Sequence, residues 1–238
     1  LIKAFNSHEI PISVLLLNEF WHLKDKRDLN KYKTGFTFSK ELFPNPFEFT
    51  TYMHDRGIRI GINMDPYEGI NDHEEKFREI TGELGLINTR RIPFNVFDKT
   101  FLNIYFNRLI KPLDSLGVDF YWIDYNYDLD NLKALTHYHF MNYYKDNRYR
   151  PMVFSRNSLT ASHLNGIHYS GKTTVSFDTL NYLPSFNSNA SNIGLSWWSH
   201  DIGGFKGGIE DSELYIRYIE LGTFSPIFRL ACERGHYY

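Results

Sequence analysis

The sequence has 238 residues, of which 42% are hydrophobic and 23% are charged, a composition that suits a folded globular chain. Lys and Arg number 26 against 28 Asp and Glu, so the formal net charge of −2 argues against a nucleic acid or an anionic membrane as partner. The single cysteine, Cys232, excludes an intrachain disulfide and a multi-thiolate metal site. No apolar run approaches the roughly 20 residues that span a bilayer, and no signal-peptide pattern occurs, so we expect a cytoplasmic protein.

Short apolar runs rich in β-branched and aromatic residues predict strands, and segments with helical spacing separate most of them. In chain order the predicted strands are residues 12–17, 58–64, 118–123, 151–154, 167–170, 193–198 and 226–230. The predicted helices are residues 47–55, 101–116, 129–144, 179–186 and 213–221. This alternation is typical of repeated βα units, which build a parallel sheet.

Repeated βα units fold either as a doubly wound sheet or as a (β/α)8 TIM barrel. A doubly wound nucleotide-binding sheet would carry a Gly-rich phosphate loop, and neither G-x-G-x-x-G nor a Walker A motif occurs here. Polar residues instead follow the ends of the predicted strands, where a TIM barrel places its active site: Asn18, Asp65, Asp124, Arg156, Lys172, Asp201 and Arg229. We therefore predict an α/β fold of the TIM-barrel type.

About seven strands are predicted, one fewer than a closed barrel requires. Either residues 1–5 hide a first strand or the chain is part of a longer protein, and the lack of a boundary signal at either end favours the second alternative. We expect residues 1–238 to form a single (β/α)8-type catalytic domain. Domains outside this sequence, or a second copy of the chain, would complete the assembly.

Two segments combine a carboxylate with aromatic rings. Asp124 follows the predicted strand 118–123, between Trp122 and Tyr125, and a carboxylate in such a partly dry place can act as a nucleophile. A loop or helix-capping aspartate would look the same in the sequence. The second segment, residues 193–205, has a tryptophan pair, then His200-Asp201 and a Gly-Gly turn. It fits a ligand site, but also a tight turn in which Asp201 bonds its own loop.

The histidines give no metal-binding pattern. His137 and His139 would lie on nearly opposite faces of a helix, which does not suit the chelation of one ion, and the other histidines are scattered. We predict no metal and no cofactor.

Several short blocks resemble, in order and spacing, the motifs of glycoside hydrolase family 31, the retaining α-glucosidase and α-xylosidase family. They are Ile10-Pro11, Phe20-Trp21-His22, Phe43-Pro44-Asn45-Pro46, Trp122-Ile123-Asp124, Phe154-Ser155-Arg156, Tyr169-Ser170-Gly171, Trp197 through Phe205, and Glu213 through Arg229. The Ser199-His200 form of the Asp-Ile-Gly-Gly block is similar to a mainly bacterial branch. The resemblance implies a (β/α)8 catalytic barrel, usually flanked by β-domains, that acts on an α-linked oligosaccharide or glycoside.

The family mechanism uses two carboxyl groups about 5 to 5.5 Å apart, one as nucleophile and one as acid/base. The resemblance implies that Asp124 is the nucleophile. It further implies a set of substrate-binding side chains, namely Asn18, Trp122, Arg156, Trp198, His200, Asp201 and Arg229.

Three positions depart from the family pattern. Lys172 stands where the family has the acid/base aspartate, and a lysine with a pKa of about 10.4 is a poor proton donor near neutral pH. The run Asn18-Glu19-Phe20 stands where the family has Asp-x-Asp, and Ala231 replaces the histidine of Arg-x-His. Two alternatives would restore turnover: Asp178 or Glu233 supplies the proton, or the substrate has a leaving group that needs none. Neither is the favoured interpretation, and Asp178 is more simply the start of the predicted helix 179–186.

The departures leave several functions open. The leading hypothesis is a retaining α-glycosidase with Lys172 at the acid/base position. The first rival is an impaired pseudo-glycosidase that binds a glycan or a protein partner. A further variant uses Lys172 and Asn18 to recognise an anionic sugar. A Schiff-base aldolase built on Lys172 is a third idea, which the ordered family motifs disfavour.

Overall fold

The computed structural model describes residues 2–18, 20–27, 34–123, 131–144, 152–156, 162–164 and 166–231. The chain forms two compact units, a first unit of Leu1–Pro151 and a second unit of Met152–Tyr238. Within the described residues, no helix is both long enough and apolar enough to cross a lipid bilayer.

The first unit contains helices and strands in mixed order. In the chain they follow as α1 (Ile2–Ser7), β1 (Val14–Leu17), α2 (Pro46–His54), β2 (Arg59–Met64), β3 (Ile70–Asn71), α3 (Phe77–Glu83), β4 (Arg91–Ile92), α4 (Lys99–Tyr105), α5 (Lys111–Ser115), β5 (Phe120–Ile123) and α6 (Asn131–Tyr144). A π-helical turn, Phe106–Ile110, joins α4 to α5. Strands β1, β2 and β5 are parallel neighbours in that order, and β3 and β4 form a short antiparallel pair.

Local sequence explains the main elements of the first unit. Asn45 caps α2 by accepting a hydrogen bond from the Glu48 amide, and Pro46 occupies the first helical position. The Asp98 side chain caps α4 by accepting from the Thr100 and Phe101 amides. Five of the six residues of β2 are buried, as expected for a strand that helices and neighbouring strands cover on both faces. The buried core of this unit is therefore built around β2.

The second unit has a regular alternation of strands and helices. Its elements are β6 (Val153–Ser155), β7 (Gly166–Tyr169), α7 (Phe177–Asn192), β8 (Trp198–Asp201), α8 (Ser212–Thr223) and β9 (Ile227–Arg229). The four strands are parallel in the order β6, β7, β8, β9. Ser176 and Asp211 cap the two helices with side-chain oxygens. All four strands thus end at one edge, and the polar residues that follow them lie along it.

The described strands in parallel ladders number seven, three in the first unit and four in the second, as the sequence predicts. Residues 2–7 form a helix, so the alternative of a first strand hidden in residues 1–5 is wrong. The predicted helix 101–116 is interrupted by the π-helical turn, and the β3–β4 pair and α3 were missed.

The predicted strand 193–198 is misplaced. Helix α7 ends at Asn192 with Ile193 as its C-cap, and β8 starts only at Trp198. Gly194 has a φ of +86°, and the Leu195 amide donates to the Ala190 carbonyl at 2.9 Å, so a left-handed glycine closes the helix. An apolar run in the sequence is therefore divided between a helix terminus and a strand.

Candidate active site

The carboxyl ends of β8 and β9 bring two predicted site residues together. Asp201 and Arg229 are direct register partners on these neighbouring parallel strands. The Arg229 guanidinium donates to the Asp201 carboxylate, and its Nε donates to the Ser199 hydroxyl at 3.1 Å. The Arg229 side chain is 13% exposed and the Asp201 side chain is 1% exposed, so this is a buried ion pair.

The Asp201 carboxylate has one oxygen to spare. Its Oδ2 atom is buried and has no hydrogen-bond partner among the described residues. Burial raises the pKa of Asp201, and the positive charges of Arg229, Arg156 and Lys172 oppose that rise. A buried acceptor without a donor is costly, so a ligand hydroxyl that donated to Oδ2 would be bound favourably.

Two aromatic rings support the arginine. Phe154 on β6 and Tyr169 on β7 stack with their centroids 4.8 Å apart. The Arg229 guanidinium carbon lies 5.2 Å from the Phe154 centroid and 4.9 Å from that of Tyr169. These cation–π contacts hold the guanidinium in place beside Asp201.

Lys172 lies in the loop that follows β7. The Ser170 amide of this loop donates to the Ser199 carbonyl at 3.1 Å, which ties the loop to β8. Gly171 has a φ of +84°, and a Cβ atom there would come within 2.9 Å of the Arg156 guanidinium. Arg156 therefore packs directly against the Gly171 backbone. The Lys172 ammonium is exposed and lies 5.0 Å from the Phe205 ring centroid.

The Gly-Gly turn after β8 packs on the same loop. The Phe205 and Lys206 amides both donate to the Thr173 carbonyl, at 2.9 and 3.1 Å, and the Val175 amide donates to the Lys206 carbonyl at 3.1 Å. A Cβ atom on Gly204 would come within 2.8 Å of the Val175 backbone. The glycines of residues 193–205 thus form a tight turn, but the Asp201 side chain pairs with Arg229 rather than with its own loop. The interpretation of this segment as a ligand site stays a prediction.

Trp198 and His200 lie on the other face of β8, since side chains alternate along a strand. Trp198 packs on Phe186 of α7, with ring centroids 5.0 Å apart, in a cluster with Ala190 and Leu195. Trp198 thus packs against α7 and not beside the Asp201 side chain. The geometry therefore does not favour the expectation that Trp198 and His200 contact the substrate.

His200 has a well-defined hydrogen-bonding role on that face. Its Nε2 atom is 2.6 Å from the Asn187 Oδ1 atom of α7, and its Nδ1 atom is 3.0 Å from the Ser170 hydroxyl. Because an amide oxygen only accepts, Nε2 carries the proton and Nδ1 accepts from Ser170. Burial, and to a lesser degree the charge of Arg229, lowers the pKa of His200 to about 4. The neutral imidazole thus connects β8, α7 and the loop that carries Lys172.

The first unit holds the remaining predicted residues. Asn18 directly follows β1 and is exposed. Trp122 on β5 is half-buried, and its neighbour Tyr121 takes the opposite face, where its hydroxyl donates to Asp114 of α5 at 2.6 Å. The predicted nucleophile Asp124 lies outside the described residues, as does Glu233.

Asp178, the other alternative proton donor, is exposed in the first turn of α7. This place agrees with the role of an acidic residue near a helix start.

Phe205 was quoted in the sequence only as part of a motif, and its contact with Lys172 was missed. The Phe154–Tyr169 stack was missed as well. The first contact joins the loops after β7 and β8, and the second joins β6 to β7, so no local pattern could indicate either.

One group of side chains in the first unit has the composition of a metal site. One ligand atom each from Asp25, Asp72 and His73 lies within 4.8 Å of the others. The Arg27 guanidinium donates to both carboxylates, and mainly this hydrogen bonding lowers the pKa of Asp25 to about 2. The arrangement is an ion-pair cluster centred on an arginine, and the absence of a metal stays a prediction.

The sequence model of the glycosyl hydrolases family 31 TIM-barrel domain matches residues 1–238. The chain belongs to glycoside hydrolase family 31. The predictions of the family and of the TIM-barrel fold are thereby confirmed.

Among curated relatives, an α-xylosidase from Saccharolobus solfataricus is 24% identical over 261 residues, covering 96% of this chain and 34% of that protein. The α-xylosidase XylQ from Lactiplantibacillus pentosus is also 24% identical, and the match covers 94% of this chain and 33% of that protein. The family 31 chain thus spans about a third of the length of these relatives.

Solved structures share the fold. A family 31 α-xylosidase from Xanthomonas citri matches with a TM-score of 0.76 at 19% identity, covering 98% of this chain and 30% of that chain. A cycloalternan-degrading enzyme from Trueperella pyogenes, in complex with cycloalternan, matches with a TM-score of 0.72 at 18% identity, covering all of this chain and 40% of that one.

Proposed function

We propose that this chain is the catalytic barrel of a retaining α-glycosidase that acts on an α-linked glucoside-type sugar. Asp124 is the nucleophile in this proposal, and Lys172 occupies the acid/base position. The observation that carries the proposal is the buried Asp201–Arg229 pair, which leaves one buried carboxylate oxygen without a hydrogen-bond partner among the described residues, at the strand edge where Lys172 and Arg156 also lie. The family membership of the whole chain supports it.

The reaction would proceed in two displacements. The Asp124 carboxylate attacks the anomeric carbon, the glycosidic C–O bond breaks, and its electron pair leaves with the aglycone oxygen. Water then attacks the same carbon, the bond to Asp124 breaks, and the proton of the water passes to solvent. Asp201 Oδ2 accepts a hydrogen bond from a sugar hydroxyl, and the charge of Arg229 opposes the rise in the Asp201 pKa that burial causes.

A lysine at the acid/base position changes which substrates react well. General acid catalysis contributes about 10² to 10⁴-fold to rate, and an ammonium group supplies little of it near neutral pH. It does supply positive charge beside the leaving oxygen. The proposal therefore favours substrates with a good leaving group over ordinary disaccharides.

The test is mass spectrometry of the full chain after incubation with 5-fluoro-α-glycosyl fluorides of several sugars, because fluoride departs with little acid assistance. The expected result is a covalent glycosyl adduct on Asp124 with one of the sugars, which disappears in Asp124→Asn. The absence of an adduct with every sugar, in a chain whose circular dichroism shows it folded, would refute the proposal.

A catalytically impaired binding protein is the second candidate, favoured by Lys172, Asn18 and Ala231 at positions where the family has acid, carboxylate and imidazole groups. The variant Lys172→Asp separates the two. A gain of hydrolysis of an aryl α-glycoside supports an enzyme that has lost its acid. Loss of an existing activity places the lysine in the mechanism.

A further inference from the structure

His200 makes both of its hydrogen bonds on the face of β8 opposite the Asp201 side chain. It is fully buried, and the Phe186 ring packs at 70° to the imidazole, with ring centroids 6.0 Å apart. Nε2 donates to Asn187 at 2.6 Å, which leaves the Nδ1 lone pair to accept from the Ser170 hydroxyl at 3.0 Å. The imidazole is therefore bonded on one side to α7 and on the other to the loop that follows β7.

Ser170 is attached to β8 through both its backbone and its side chain. Its amide donates to the Ser199 carbonyl at 3.1 Å, and its hydroxyl donates to the next residue of the strand, His200. Two bonds to one strand fix both the position and the direction of the chain as it enters the turn at Gly171. Loss of the hydroxyl would remove one of them and would take the donor away from a buried nitrogen.

Gly171 connects this attachment to a predicted site residue. The Arg156 guanidinium packs so closely on the Gly171 backbone that a Cβ atom there would lie 2.9 Å from its Nε atom. A shift of the turn by about 1 Å would push on the guanidinium or leave a gap beside it, and a misplacement of that size is enough to weaken a site. The charge of Arg156 acts on Asp201, so the same shift would change the electrostatic environment of that carboxylate.

We propose that His200 is a positioning residue of the site: through Ser170 it fixes the Gly171 turn, and through that turn it fixes the Arg156 guanidinium. The inference rests on the proposed function for the role of Arg156, which the family resemblance assigns to substrate binding. All the contacts that carry it lie within the second unit. Its structural part, the fixing of the turn, can be measured without any sugar.

The first measurement is hydrogen–deuterium exchange of the full chain at neutral pH, read by mass spectrometry in the peptide that covers residues 167–176. Ser170→Ala deletes the hydroxyl, and exchange in this peptide should become at least about 10-fold faster, whereas a peptide from α8 should exchange as in the wild type. Ser170→Thr keeps a hydroxyl at this position and should exchange as slowly as the wild type.

A second pair of variants tests the other partner of the same bond. His200→Leu removes the acceptor and should speed exchange in the 167–176 peptide as Ser170→Ala does. His200→Asn should speed it clearly less, because its Oδ1 atom lies close to the place of Nδ1 and can accept from Ser170. Ser188→Ala is the matched control, since it deletes an exposed hydroxyl of α7 in the same unit and should change nothing. Circular dichroism verifies that each variant is folded.

The second measurement tests the effect on the site. The rate of labelling by a 5-fluoro-α-glycosyl fluoride is followed against reagent concentration, which separates the dissociation constant of the reagent from the rate constant of the labelling step. Ser170→Ala should raise the dissociation constant by about 10-fold and change the rate constant by less than about 3-fold, because Arg156 binds the sugar and is not the nucleophile. Ser170→Thr should restore tight binding.

Three results would overturn the inference. Slow exchange in Ser170→Ala, or exchange in Ser170→Thr as fast as in Ser170→Ala, would mean that the hydroxyl does not hold the turn. Fast exchange with an unchanged dissociation constant would mean that the turn does not position Arg156. A wild-type chain that no reagent labels would contradict the proposed function instead, and the exchange data alone would then decide whether His200 holds the turn.

Discussion

Asp201 and Arg229 stand side by side at matching positions of two parallel strands and form an ion pair that is nearly sealed from solvent. Each charge depends on the other, since removal of one partner leaves an uncompensated charge in a buried place. The Arg229 Nε bond to Ser199 and the Phe154–Tyr169 stack hold the guanidinium in the same position.

We expect Asp201→Asn to lower the free energy of unfolding by about 3 kcal/mol, because Arg229 would lose its countercharge. Arg229→Met should also lower the free energy of unfolding, because Asp201 would lose its countercharge. The double variant should cost clearly less than the sum of the two, and urea denaturation at neutral pH measures all three values. Strictly additive costs would mean that the pair contributes no coupling to stability.

Acid should destabilise the protein partly through His200. Its pKa falls from 6.5 to about 4 on folding, so the unfolded chain binds the proton more readily. The resulting stability, of order 3 kcal/mol, is complete above pH 6.5 and is lost as pH falls from 6.5 toward 4. His200→Gln should flatten the dependence of unfolding free energy on pH over this range. The control variant His163→Gln, at an exposed histidine of the same unit, should leave this pH dependence unchanged. An unchanged slope in His200→Gln would contradict the prediction.

The two tryptophans of the predicted site should behave differently. Trp198→Ala should lower the free energy of unfolding by about 3 kcal/mol, because it empties a packed position against Phe186 and Ala190 of α7. Affinity for a glycoside ligand, measured by calorimetry at a temperature where the variant is folded, should change less than about 2-fold. Trp122→Ala should instead weaken glycoside binding. Weakened binding in Trp198→Ala with unchanged stability would place Trp198 at the sugar.

Gly171 should tolerate a side chain less well than Gly194. Both have left-handed backbone angles, so alanine costs about 1 to 2 kcal/mol in strain at either position. Only at Gly171 would the new methyl group also press on the Arg156 guanidinium, whereas at Gly194 the nearest atom is 3.6 Å away. Thermal denaturation should show a larger loss for Gly171→Ala, together with weaker glycoside binding. Equal losses and intact binding would mean that Arg156 is not held by Gly171.

Much of the architecture could be predicted from local patterns. Strand β2 carries Ile60, Ile62 and Met64 at alternate positions and was predicted to within one residue, and α8 was found from helical spacing. The prediction failed at residues 193–198, where an apolar run crosses a helix end. Periodicity alone does not separate such a run into its two parts. The family was recognisable because its motifs are short, ordered blocks that survive at about 24% identity.

The sequence by itself determined the βα alternation and the polar residues at the strand ends, because each of these is a property of neighbouring residues. Only the tertiary structure decided that Asp201 pairs with Arg229, that Trp198 and His200 face α7, and that Lys172 meets Phe205. These contacts depend on the register of strands and on the packing of loops that are far apart in the chain. A shift of one residue in β8 would exchange its two faces, and the sequence does not encode that choice locally.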